Sequence, residues 1–535
     1  MHKTKFIVVT GGVLSGLGKG IAAASIGRLL NSKLKVVSIK NEGYLNVQPG
    51  TMNPIEHGEV FVLDDGEEAD MDFGHYERFL NINCKAHWNI TMGKVFNDVI
   101  ERERRGDYLG KTVQFIPHVT DCIKEKWFKI AEEENADIAI LEIGGTVGDI
   151  ETELHIEAAR QLMQDLGKEN VVFVHVTYVP KPYGTNEQKS KPTQQSVKIL
   201  NEKGINPDII IGRCSEKISE NVKKKISLFC NIDERDVISG IDVKSIYEIP
   251  LIFEKEGMVE SLHKKLNIYS PPDLTRWREL VNNLLNAMNK KEGVNIAICG
   301  KYTSLEDSYA SINEALKHCS AHLKAKVNIK WIETTLIEEG KININEAMKG
   351  IHGVIIPGGF GSRGVEGKIK VIEYVRKKNI PFLGICYGMQ LAIVEFARNV
   401  CGLKDAHTTE VNPETKHPVI TYLEGQENIE KMGGTLRLGA YYAYLKEKTK
   451  IQCLYGDTIV SERHRHRLEV NPKYHNILRK KGMIFSGVSK NNLLVEFIEL
   501  PKNSYFVGTQ AHPELKSRLE KPAPLFYGLV KACLE

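Results

Sequence analysis

The chain has 535 residues, of which 42% are hydrophobic and 26% are charged, and its formal net charge is +4. One hydrophobic core rarely organises a chain of this length, so two or more domains are expected. The near-neutral charge gives no reason to expect a nucleic acid or a membrane surface as a partner, and no apolar run approaches the roughly 18 residues that span a bilayer. The N-terminus predicts a first strand and not a signal peptide, and the ten cysteines form no CxxC pair, so a cytoplasmic chain with reduced thiols is expected.

Apolar, β-branched runs alternate with helix-like stretches along both halves of the chain. This alternation is typical of α/β domains in which helices cover both faces of a mainly parallel, doubly wound sheet. The first series of predicted strands covers residues 6–10, 36–39, 137–141, 171–176 and 208–211, and the second covers residues 294–300, 327–332, 353–356 and 382–385.

A helical pattern between the two series predicts a linker. Ser270, Pro271 and Pro272 precede apolar residues at helical spacing, and the pattern ends before the charged run at 290–292. We therefore expect an N-terminal domain at residues 1–269, a linker helix at 270–293 and a C-terminal domain at 294–535.

A glycine-rich loop, from Gly11 to Gly20, follows the first predicted strand and opens a helix. Its glycines allow backbone N–H groups to approach a phosphate, the helix N-terminus adds a favourable dipole, and Lys19 supplies a positive charge. The loop departs from the strict Walker A pattern, because Val13 replaces a glycine and Gly20 replaces a serine or threonine. The sequence still predicts a phosphate-binding loop.

A nucleoside triphosphate on this loop would call for Mg²⁺, which binds carboxylates and water. Glu142 ends the third predicted strand, Asp72 lies in the segment Asp70-Met71-Asp72, and Lys40 ends the second strand. Spacing alone leaves the role of each residue open, because carboxylates and lysines are common on protein surfaces.

The segment Gly384-Ile385-Cys386-Tyr387-Gly388 stands where a predicted strand meets a predicted helix. The two glycines permit the sharp turn that exposes a nucleophile, and the helix N-terminus favours a thiolate. The base is predicted to be His512, because Glu514, two residues further along an extended segment, can orient the imidazole. Together these side chains predict a catalytic triad.

Several long motifs closely resemble the CTP synthase family, and the resemblance covers about residues 5 to 532. The C-terminal half is also similar to the class I (triad) glutamine amidotransferases. The resemblance implies a P-loop-like synthetase domain followed by a flavodoxin-like class I glutaminase domain. The motifs that carry it in the N-terminal half lie at residues 44–47, 49–54, 57–62, 74–79, 142–151 and 191–194.

The resemblance implies the reaction UTP + ATP + glutamine → CTP + ADP + phosphate + glutamate. ATP phosphorylates O4 of the uracil ring, and ammonia then displaces the phosphate at C4. Mg²⁺ is implied on Asp72 and Glu142, with Lys19 and Lys40 neutralising the transferring phosphoryl group. The residues implied to bind ATP are Gly16, Leu17, Gly18, Lys19, Gly20, Ile21, Lys40, Asp72 and, in the expected adenine pocket, Val243.

The same resemblance assigns the other two substrates. Cys386 would attack the glutamine amide, with His512 as acid and then base, and backbone N–H groups at Gly359 and Tyr387 would form the oxyanion hole. The residues implied to bind glutamine are Gly359, Tyr387, Gly388, Met389, Gln390, Glu410 and Arg467. Those implied to bind UTP or CTP are Ser15, Asp149, Ile150, Glu151, Lys189, Ser190, Lys191, Pro192, Thr193, Gln194 and Lys225.

Coupling and regulation are implied by the resemblance alone. Ammonia would pass between the sites through an internal tunnel lined by Pro54, His57 and Val60. GTP would activate the enzyme, with residues 105–110 taking part in coupling, and CTP would inhibit it at a site that overlaps the UTP site. The expected assembly is a homotetramer.

The chain departs from the family pattern at a few positions. Lys40 is normally followed by Leu-Asp-Pro, where this chain has Asn41-Glu42-Gly43. Gly16 stands in place of the usual serine, and Tyr387 stands in place of the usual leucine. The changes beside Lys40 leave ATP affinity and coupling open.

Other functions compete with this one. Cobyrinic-acid amidating enzymes also pair a similar phosphate loop with a triad glutaminase, but the motif at residues 189–194 argues against them. A non-catalytic assembly role is opposed by the retention of Cys386, His512, Glu514 and Lys19. The basic run at 463–467 could suggest nucleic acid, although five residues in a near-neutral chain are weak support.

Overall fold

The computed structural model describes residues 4–52, 58–300, 306–422 and 436–535. The chain divides into two compact units, the first containing Met1–Pro49 and Asp72–Val281 and the second containing Gly50–Met71 and Asn282–Glu535. Pro54 and His57, two of the residues expected to line a tunnel, lie outside the described residues. No helix in the described ranges is long and apolar enough to cross a membrane.

The first unit is built on a sheet in which seven described strands are all parallel, in the order β5-β2-β6-β1-β7-β8-β9. Strand β6, with the sequence IAILEI, is buried at every position, as expected when helices cover both faces. The strands of this half of the chain are β1 Lys5–Gly11, β2 Val36–Glu42, β3 Phe61–Val62, β4 Glu68–Ala69, β5 Asn89–Thr91, β6 Ile138–Ile143, β7 Val171–Tyr178, β8 Ile209–Cys214 and β9 Val237–Ile241.

Helices connect these strands and cover the sheet. Strands β3 and β4 are separate from the sheet and pair only with each other among the described strands, as a short antiparallel hairpin that belongs to the second unit. The helices are α1 Lys19–Leu30, α2 Asp72–Leu80, α3 Met92–Arg105, α4 Thr120–Glu133, α5 Glu153–Leu166, α6 Lys191–Glu202, α7 Glu220–Cys230, α8 Ile249–Lys255, α9 Met258–Leu266 and α10 Thr275–Met288.

The register of the first sheet gathers chemically active residues at one edge. Lys40 on β2 lies opposite Glu142 on β6, and Glu142 lies opposite Val9 on β1, two residues before the glycine-rich loop. Ligands of open α/β sheets bind outside the carboxyl ends of the strands. The fold therefore places the predicted phosphate loop, lysine and carboxylate at the edge where such a ligand binds.

The second unit contains a mixed sheet of nine described strands, in the order β11-β10-β12-β13-β21-β20-β19-β16-β17. The pairs from β11 to β21 are parallel, and those from β21 to β17 are antiparallel. The strands of this sheet are β10 Val294–Gly300, β11 Val327–Glu333, β12 Gly353–Ile356, β13 Phe382–Ile385, β16 Arg437–Leu445, β17 Ile459–His466, β19 Ile484–Val488, β20 Val495–Glu499 and β21 Phe506–Thr509. A separate three-stranded sheet contains β14 Ala406–Thr408, β15 His417–Tyr422 and β18 Leu468–Val470.

The predicted class, two α/β units, is confirmed, and the first sheet is parallel as expected. The second sheet is parallel only from β11 to β21, and its antiparallel extension is the part that the sequence pattern did not indicate. Strand β17, IVSERHRH, is rich in charge and does not have the apolar run of a covered parallel strand. The helices of this unit are α11 Ala310–Leu323, α12 Thr334–Glu338, α13 Ile344–Ala347, α14 Val365–Lys378, α15 Tyr387–Asn399, α16 Lys450–Tyr455, α17 His475–Lys480 and α18 Pro524–Leu534.

Helix α10 lies in the region of the expected linker, and its first turns pack into the core of the first unit. Trp277 is fully buried, and its indole N–H donates to the carbonyl of Tyr247 at 2.9 Å. Its ring lies 5.3 Å from the ring of Phe79, and the guanidinium of Arg28 lies 4.8 Å from its centroid. This single side chain therefore anchors the start of α10.

We expect Trp277→Ala to lower the free energy of unfolding of the first unit by about 3–5 kcal/mol, because it leaves a large cavity and an unpaired carbonyl. The measurement is urea denaturation followed by far-ultraviolet circular dichroism. Arg276→Ala, at the exposed neighbouring position, is the matched control and should change the stability by less than about 0.5 kcal/mol. Equal midpoints for the two variants would contradict the prediction.

Candidate active sites

Cys386 lies at the turn between β13 and α15, where its backbone has φ 50° and ψ −102°. A positive φ is uncommon for a residue with a side chain and marks a strained turn. The backbone N–H of Cys386 donates to the carbonyl of Thr509 on β21 at 2.6 Å. The side chain is 4% exposed, so the sulfur stands inside a pocket and not on an open surface.

The glycines on either side of Cys386 are required by close packing. A Cβ at Gly388 would lie 2.1 Å from the carbonyl oxygen of Ile356, and one at Gly384 would lie 2.8 Å from the backbone of Gly388. Real Cβ contacts are never this short, so any larger residue would displace the helix from the sheet. The predicted nucleophile turn is present with the geometry that the glycine pattern indicated.

His512 is held by the carboxylate that the sequence predicted. Its Nδ1 lies 2.8 Å from Oε1 of Glu514. Burial opposes the charged imidazolium, but the Glu514 carboxylate and the Cys386 sulfur outweigh burial and raise the pKa of His512 to about 10. Its Nε2 is buried, and the interaction of the imidazole with the Cys386 sulfur places the ring beside the nucleophile predicted from the sequence.

Gln510 is a residue of this pocket to which sequence reasoning gave no role. Its amide Nε2 lies 3.6 Å from the sulfur of Cys386, and its Oε1 accepts a hydrogen bond from Nε2 of Gln390 at 3.3 Å. Gln390 also donates to the carbonyl of Leu468 at 3.0 Å. Glu514 lies in the 3-10 helix Pro513–Lys516, so the extended segment that was expected to run through Glu514 ends at His512, and the carboxylate reaches the imidazole from a helical turn. The two-residue spacing from Gln510 to His512 was the available signal that Gln510 lies on the same side as the histidine.

The loop that follows β12 packs against His512. A Cβ at Gly358 would lie 2.6 Å from Cε1 of His512, so the loop backbone approaches the imidazole directly. The N–H of Gly361 donates to Glu410 at 2.8 Å, and the carbonyl of Gly361 accepts from the hydroxyl of Tyr387 at 2.8 Å. Glu410 and Tyr387 therefore fix the same loop, and Gly359 lies within it.

The basic run at 463–467 follows the alternation of strand β17. Arg463 and Arg465 form ion pairs with Asp64 and Glu68 of the β3–β4 hairpin. His464 and His466 are both buried and lie 2.9 Å apart through their ring nitrogens. Arg467 follows the strand and is half-buried. Protein carboxylates therefore neutralise two of the arginines that could have suggested a polyanion site.

The glycine-rich loop of the first unit has the backbone of a phosphate loop. Val13, Gly16 and Gly18 have φ values of 78°, 76° and 86°, so its peptide groups change direction repeatedly before α1 begins at Lys19. Lys19 donates from Nζ to the carbonyl of Gly145 at 2.7 Å. Burial, together with the nearby ammonium of Lys40, lowers the pKa of Lys19.

Lys40 is the centre of a buried cluster of charges. Its Nζ lies 2.5 Å from Asp72, 2.7 Å from Glu142 and 3.2 Å from Glu42. Burial opposes its charge, but Asp72 and Glu142 raise the pKa of Lys40 well above its usual range. The ammonium of Lys40 in turn outweighs burial and lowers the pKa of Asp72 to about 2. Glu142 also accepts a hydrogen bond from the hydroxyl of Tyr76.

The donor set at this cluster fits a magnesium ion. Asp72 and Glu142 come from different elements and converge on one cation, and Mg²⁺ in phosphoryl-transfer sites takes one or two carboxylates with phosphates and water. No three His, Cys, Asp or Glu side chains of the described chain form an all-protein metal site. A Cβ at position 20 would lie 1.9 Å from Oδ1 of Asp72. Gly20 therefore leaves room for the Asp72 carboxylate, which the serine or threonine of the Walker A pattern would not do at this position.

An apolar pocket opens beside the glycine-rich loop. It is lined by residues that include Leu17, Ile21, Val243 and Phe253. Arg213 lies at its wall, where it donates to Asp242 at 2.5 Å and to the carbonyl of Leu17 at 3.4 Å. Sequence reasoning placed Val243 here but missed Arg213, although Arg213 stands at the carboxyl end of β8, where ligand-binding residues collect.

The residues expected to bind a pyrimidine nucleotide follow the ends of β6 and β7, on either side of β1. Asp149 accepts from the N–H of Thr146 at 3.0 Å, and Ile150 is 83% exposed. Lys189 and Lys225 both contact Glu187, at 2.8 and 3.4 Å, so the structure brings α7 to the segment before α6. The remaining members lie in the glycine-rich loop at Ser15, beside Ile150 at Glu151, and in the first turns of α6 or just before it at Ser190, Lys191, Pro192, Thr193 and Gln194.

The departure at Asn41-Glu42-Gly43 is built into this site. Asn41 is buried, accepts from the indole N–H of Trp127 at 2.7 Å and donates to the carbonyl of Glu142 at 3.2 Å. A Cβ at Gly43 would lie 2.7 Å from the carbonyl oxygen of Glu151. The chain thus replaces a proline by a glycine at a point where the backbone of Glu151 approaches.

Two further sets were expected from the resemblance. Val60, the described member of the tunnel set, is half-buried in the second unit. In the segment 105–110, Arg105 forms an ion pair with Asp107 at 3.0 Å, and Leu109 is 86% exposed. These contacts locate the residues without assigning them a ligand.

Known proteins match the chain from end to end. The family described as CTP synthase N-terminus matches residues 5–268, and that described as glutamine amidotransferase class-I matches residues 304–532. The CTP synthase of Borreliella burgdorferi is 53% identical over 99% of both chains, and that of Methanococcus maripaludis is 52% identical over 99% of this chain and 100% of its own. A solved Trypanosoma brucei CTPS glutaminase domain with bound acivicin is 35% identical, covering 45% of this chain and 94% of its own with a TM-score of 0.42.

We expect Glu514→Gln to slow alkylation of Cys386 by iodoacetamide at pH 7. Without the carboxylate, burial lowers the pKa of His512, so the positive charge beside the sulfur of Cys386 is lost and the sulfur becomes a weaker nucleophile. Each loss of about 1.4 kcal/mol of electrostatic stabilisation at the attacking sulfur slows the reaction about tenfold. The rate is measured by mass spectrometry of peptides containing Cys386.

The exposed thiol of Cys453 provides an internal reference in the same sample. Glu346→Gln, which removes an exposed carboxylate of the same unit, is the matched control and should leave the Cys386 rate unchanged. An unchanged rate in Glu514→Gln would mean that Glu514 does not sustain the imidazolium.

Proposed function

The chain belongs to the CTP synthase family, and we propose that its first unit carries the nucleotide chemistry while its second unit hydrolyses glutamine. The chain converts UTP to CTP with nitrogen from glutamine, in pyrimidine biosynthesis, and is therefore a carbon–nitrogen ligase. The observation that supports this division of function is that each unit has its own group of chemically active side chains. The second unit holds Cys386 with His512 and Glu514, and the first holds Lys40 with its carboxylates beside the phosphate loop.

In the second unit, Cys386 attacks the side-chain amide carbon of glutamine. His512 donates its proton to the leaving ammonia and then takes one from the water that hydrolyses the thioester. Glu514 holds Nδ1 of His512 throughout, because the 2.8 Å contact fixes the ring and favours its charged form. The backbone N–H groups of Gly359 and Tyr387 stabilise the oxyanion. Glutamine is held by Gly388, Met389, Gln390, Glu410 and Arg467, with Glu410 and Arg467 facing its α-amino and α-carboxylate groups.

In the first unit, the phosphates of ATP lie on the loop from Gly16 to Ile21, and the adenine occupies the apolar pocket that contains Val243. Lys19 and Lys40 offset the negative charge of the phosphoryl group as it transfers to O4 of UTP. Ammonia then attacks C4 and displaces the phosphate. Asp72 and Glu142 hold Mg²⁺, which when bound neutralises charge on the phosphate oxygens.

The finer assignments belong to the same proposal. UTP and the inhibitor CTP use Ser15, residues 149–151, residues 189–194 and Lys225. Ammonia passes through a tunnel lined by Pro54, His57 and Val60, and GTP activates the enzyme with the help of residues 105–110. The functional domains are residues 1–269 and 294–535 with the linker 270–293 between them, and the active form is a cytoplasmic homotetramer.

We expect Cys386→Ala to abolish CTP formation from glutamine while keeping CTP formation from ammonium, because only the nitrogen supply depends on the thiol. CTP is measured by its absorbance change with UTP, ATP, Mg²⁺ and either nitrogen donor. Cys453→Ala, at an exposed thiol, is the matched control and should keep both activities. Loss of both activities in Cys386→Ala would contradict the separation of the two sites.

Lys19→Ala should abolish CTP formation with either nitrogen donor, because Lys19 is proposed to act in phosphoryl transfer, which both reactions need, and not in the supply of ammonia. Lys33→Ala removes an exposed lysine just after α1 and should keep both activities. If Lys19→Ala still formed CTP from ammonium at the wild-type rate, the assignment of ATP to this loop would be wrong.

A further inference from the structure

A short acidic hairpin from the N-terminal half of the sequence is part of the second unit. It comprises residues 61–69, with β3 and β4 paired antiparallel through Phe61 opposite Ala69 and Val62 opposite Glu68. We call it the acidic hairpin. Its carboxylates were given no role by the sequence motifs, and the triad mechanism does not use them.

Asp64, near the tip of the acidic hairpin, fastens it to three separate elements. Its carboxylate lies 2.6 Å from Nε of Arg463 on β17 and 3.7 Å from Nζ of Lys516, which follows the triad residue Glu514 by two positions. Its carbonyl accepts from the N–H of Ala440 on β16 at 2.8 Å. Arg463 is fully buried and lies over the ring of Phe61 at 5.4 Å.

The backbone of the hairpin packs equally closely on β16. Gly439 has φ 92°, and a Cβ there would lie 2.7 Å from the backbone nitrogen of Gly66 and 2.8 Å from the carbonyl oxygen of Asp64. No side chain could be inserted between the two segments without separating them. The position of Asp64 relative to β16 and β17 is therefore closely fixed.

A second ion pair repeats this arrangement two residues further along the same strand. Glu68 is buried and lies 2.8 Å from Nε of Arg465. Successive residues of a strand point to opposite sides, so Arg463 and Arg465 present their side chains to one side, toward the hairpin. The alternation of arginine with histidine in β17 is thus explained by a carboxylate partner at every second position.

The same two arginines contact the triad through their backbone. The carbonyl of Arg463 accepts from the N–H of His512 at 2.8 Å, and the carbonyl of Arg465 lies 3.9 Å from the sulfur of Cys386. Strand β17 is therefore an intermediate layer, with the acidic hairpin bound to its side chains and the triad bound to its carbonyls.

We propose that Asp64 and Glu68 are positioning residues for glutamine hydrolysis, acting through Arg463 and Arg465 to fix β17 against Cys386 and His512. The proposal rests on the assignment of Cys386, His512 and Glu514 as the triad. Removing the Asp64 carboxylate takes a charged partner from the buried guanidinium of Arg463, and removing the Glu68 carboxylate takes one from the partly exposed guanidinium of Arg465, so the strand relaxes toward solvent or another partner. A displacement of about 1 Å at a reacting group can cost 10²-fold in rate, so a small relaxation is sufficient.

The test uses the full-length protein with Asp64→Asn and, separately, Glu68→Gln. Each should lower kcat for glutamine hydrolysis by about tenfold or more, with KM for glutamine changed by less than about threefold, because orientation at the sulfur is lost while the glutamine-binding groups remain. CTP formation from ammonium should stay within about twofold of wild type. Asp457→Asn, an exposed aspartate just before β17, is the matched control and should change none of these values.

Three outcomes would overturn the proposal, and they can be told apart. If Cys386→Ala retained glutamine hydrolysis, the triad assignment would fail and the positioning role with it. If Cys386→Ala abolished hydrolysis but Asp64→Asn and Glu68→Gln kept wild-type kcat, only the positioning role would be wrong. If a variant lost CTP formation from glutamine and from ammonium to the same extent, and if Asp64→Glu, which keeps the charge, restored neither activity, the hairpin would be needed for folding in general and not for positioning the triad.

Discussion

The second unit depends on a cysteine held in a backbone conformation that costs about 1–3 kcal/mol. Cys386 has φ 50°, and it is kept there by the hydrogen bond of its N–H to Thr509 and by close contact at Gly384 and Gly388. Because a Cβ at Gly388 would lie 2.1 Å from the carbonyl of Ile356, α15 is pressed directly onto β12. Strand β13 pairs in parallel with β21, and this pairing brings the segment after β21, which carries His512, to the turn after β13, which carries Cys386. The strained conformation of Cys386 and its proximity to His512 thus both depend on contacts with β21.

Buried charge places a corresponding constraint on the first unit. Lys40 is 4% exposed, and a lysine is tolerated at this depth because Asp72, Glu142 and Glu42 surround its ammonium. The carboxylates need the cation for the same reason, since desolvation alone would protonate them. A metal ion with a polyphosphate would alter this balance by adding both signs of charge. The charge balance around Lys40 therefore depends on all three carboxylates at once.

Sequence reasoning identified most strands of the parallel regions, although not β5 or β9, together with the glycine-rich loop and the proximity of His512 and Glu514, because each has a local signature. Buried parallel strands are apolar runs, and a nucleophile turn needs glycines at fixed spacing. It gave no role to Gln510, Arg213, Asp64 or Glu68, because their contacts join elements far apart along the chain. Glu68 and Arg465 are 397 positions apart, and no local pattern reports such a pair. The antiparallel extension was missed for a related reason. The charged residues of β17 do not resemble a buried strand, and the carboxylates that pair with its arginines lie far away in the sequence.

The acidic hairpin shows why the division of function need not follow the order of the sequence. Residues 50–71 lie between two segments of the first unit, yet they pack with the second, and the chain returns to the first unit at Asp72. Asp72 is the carboxylate that contacts Lys40, and it follows the end of β4 after only Asp70 and Met71. The acidic hairpin is therefore bound by ion pairs to β17, within the second unit, although its sequence neighbours on both sides belong to the first.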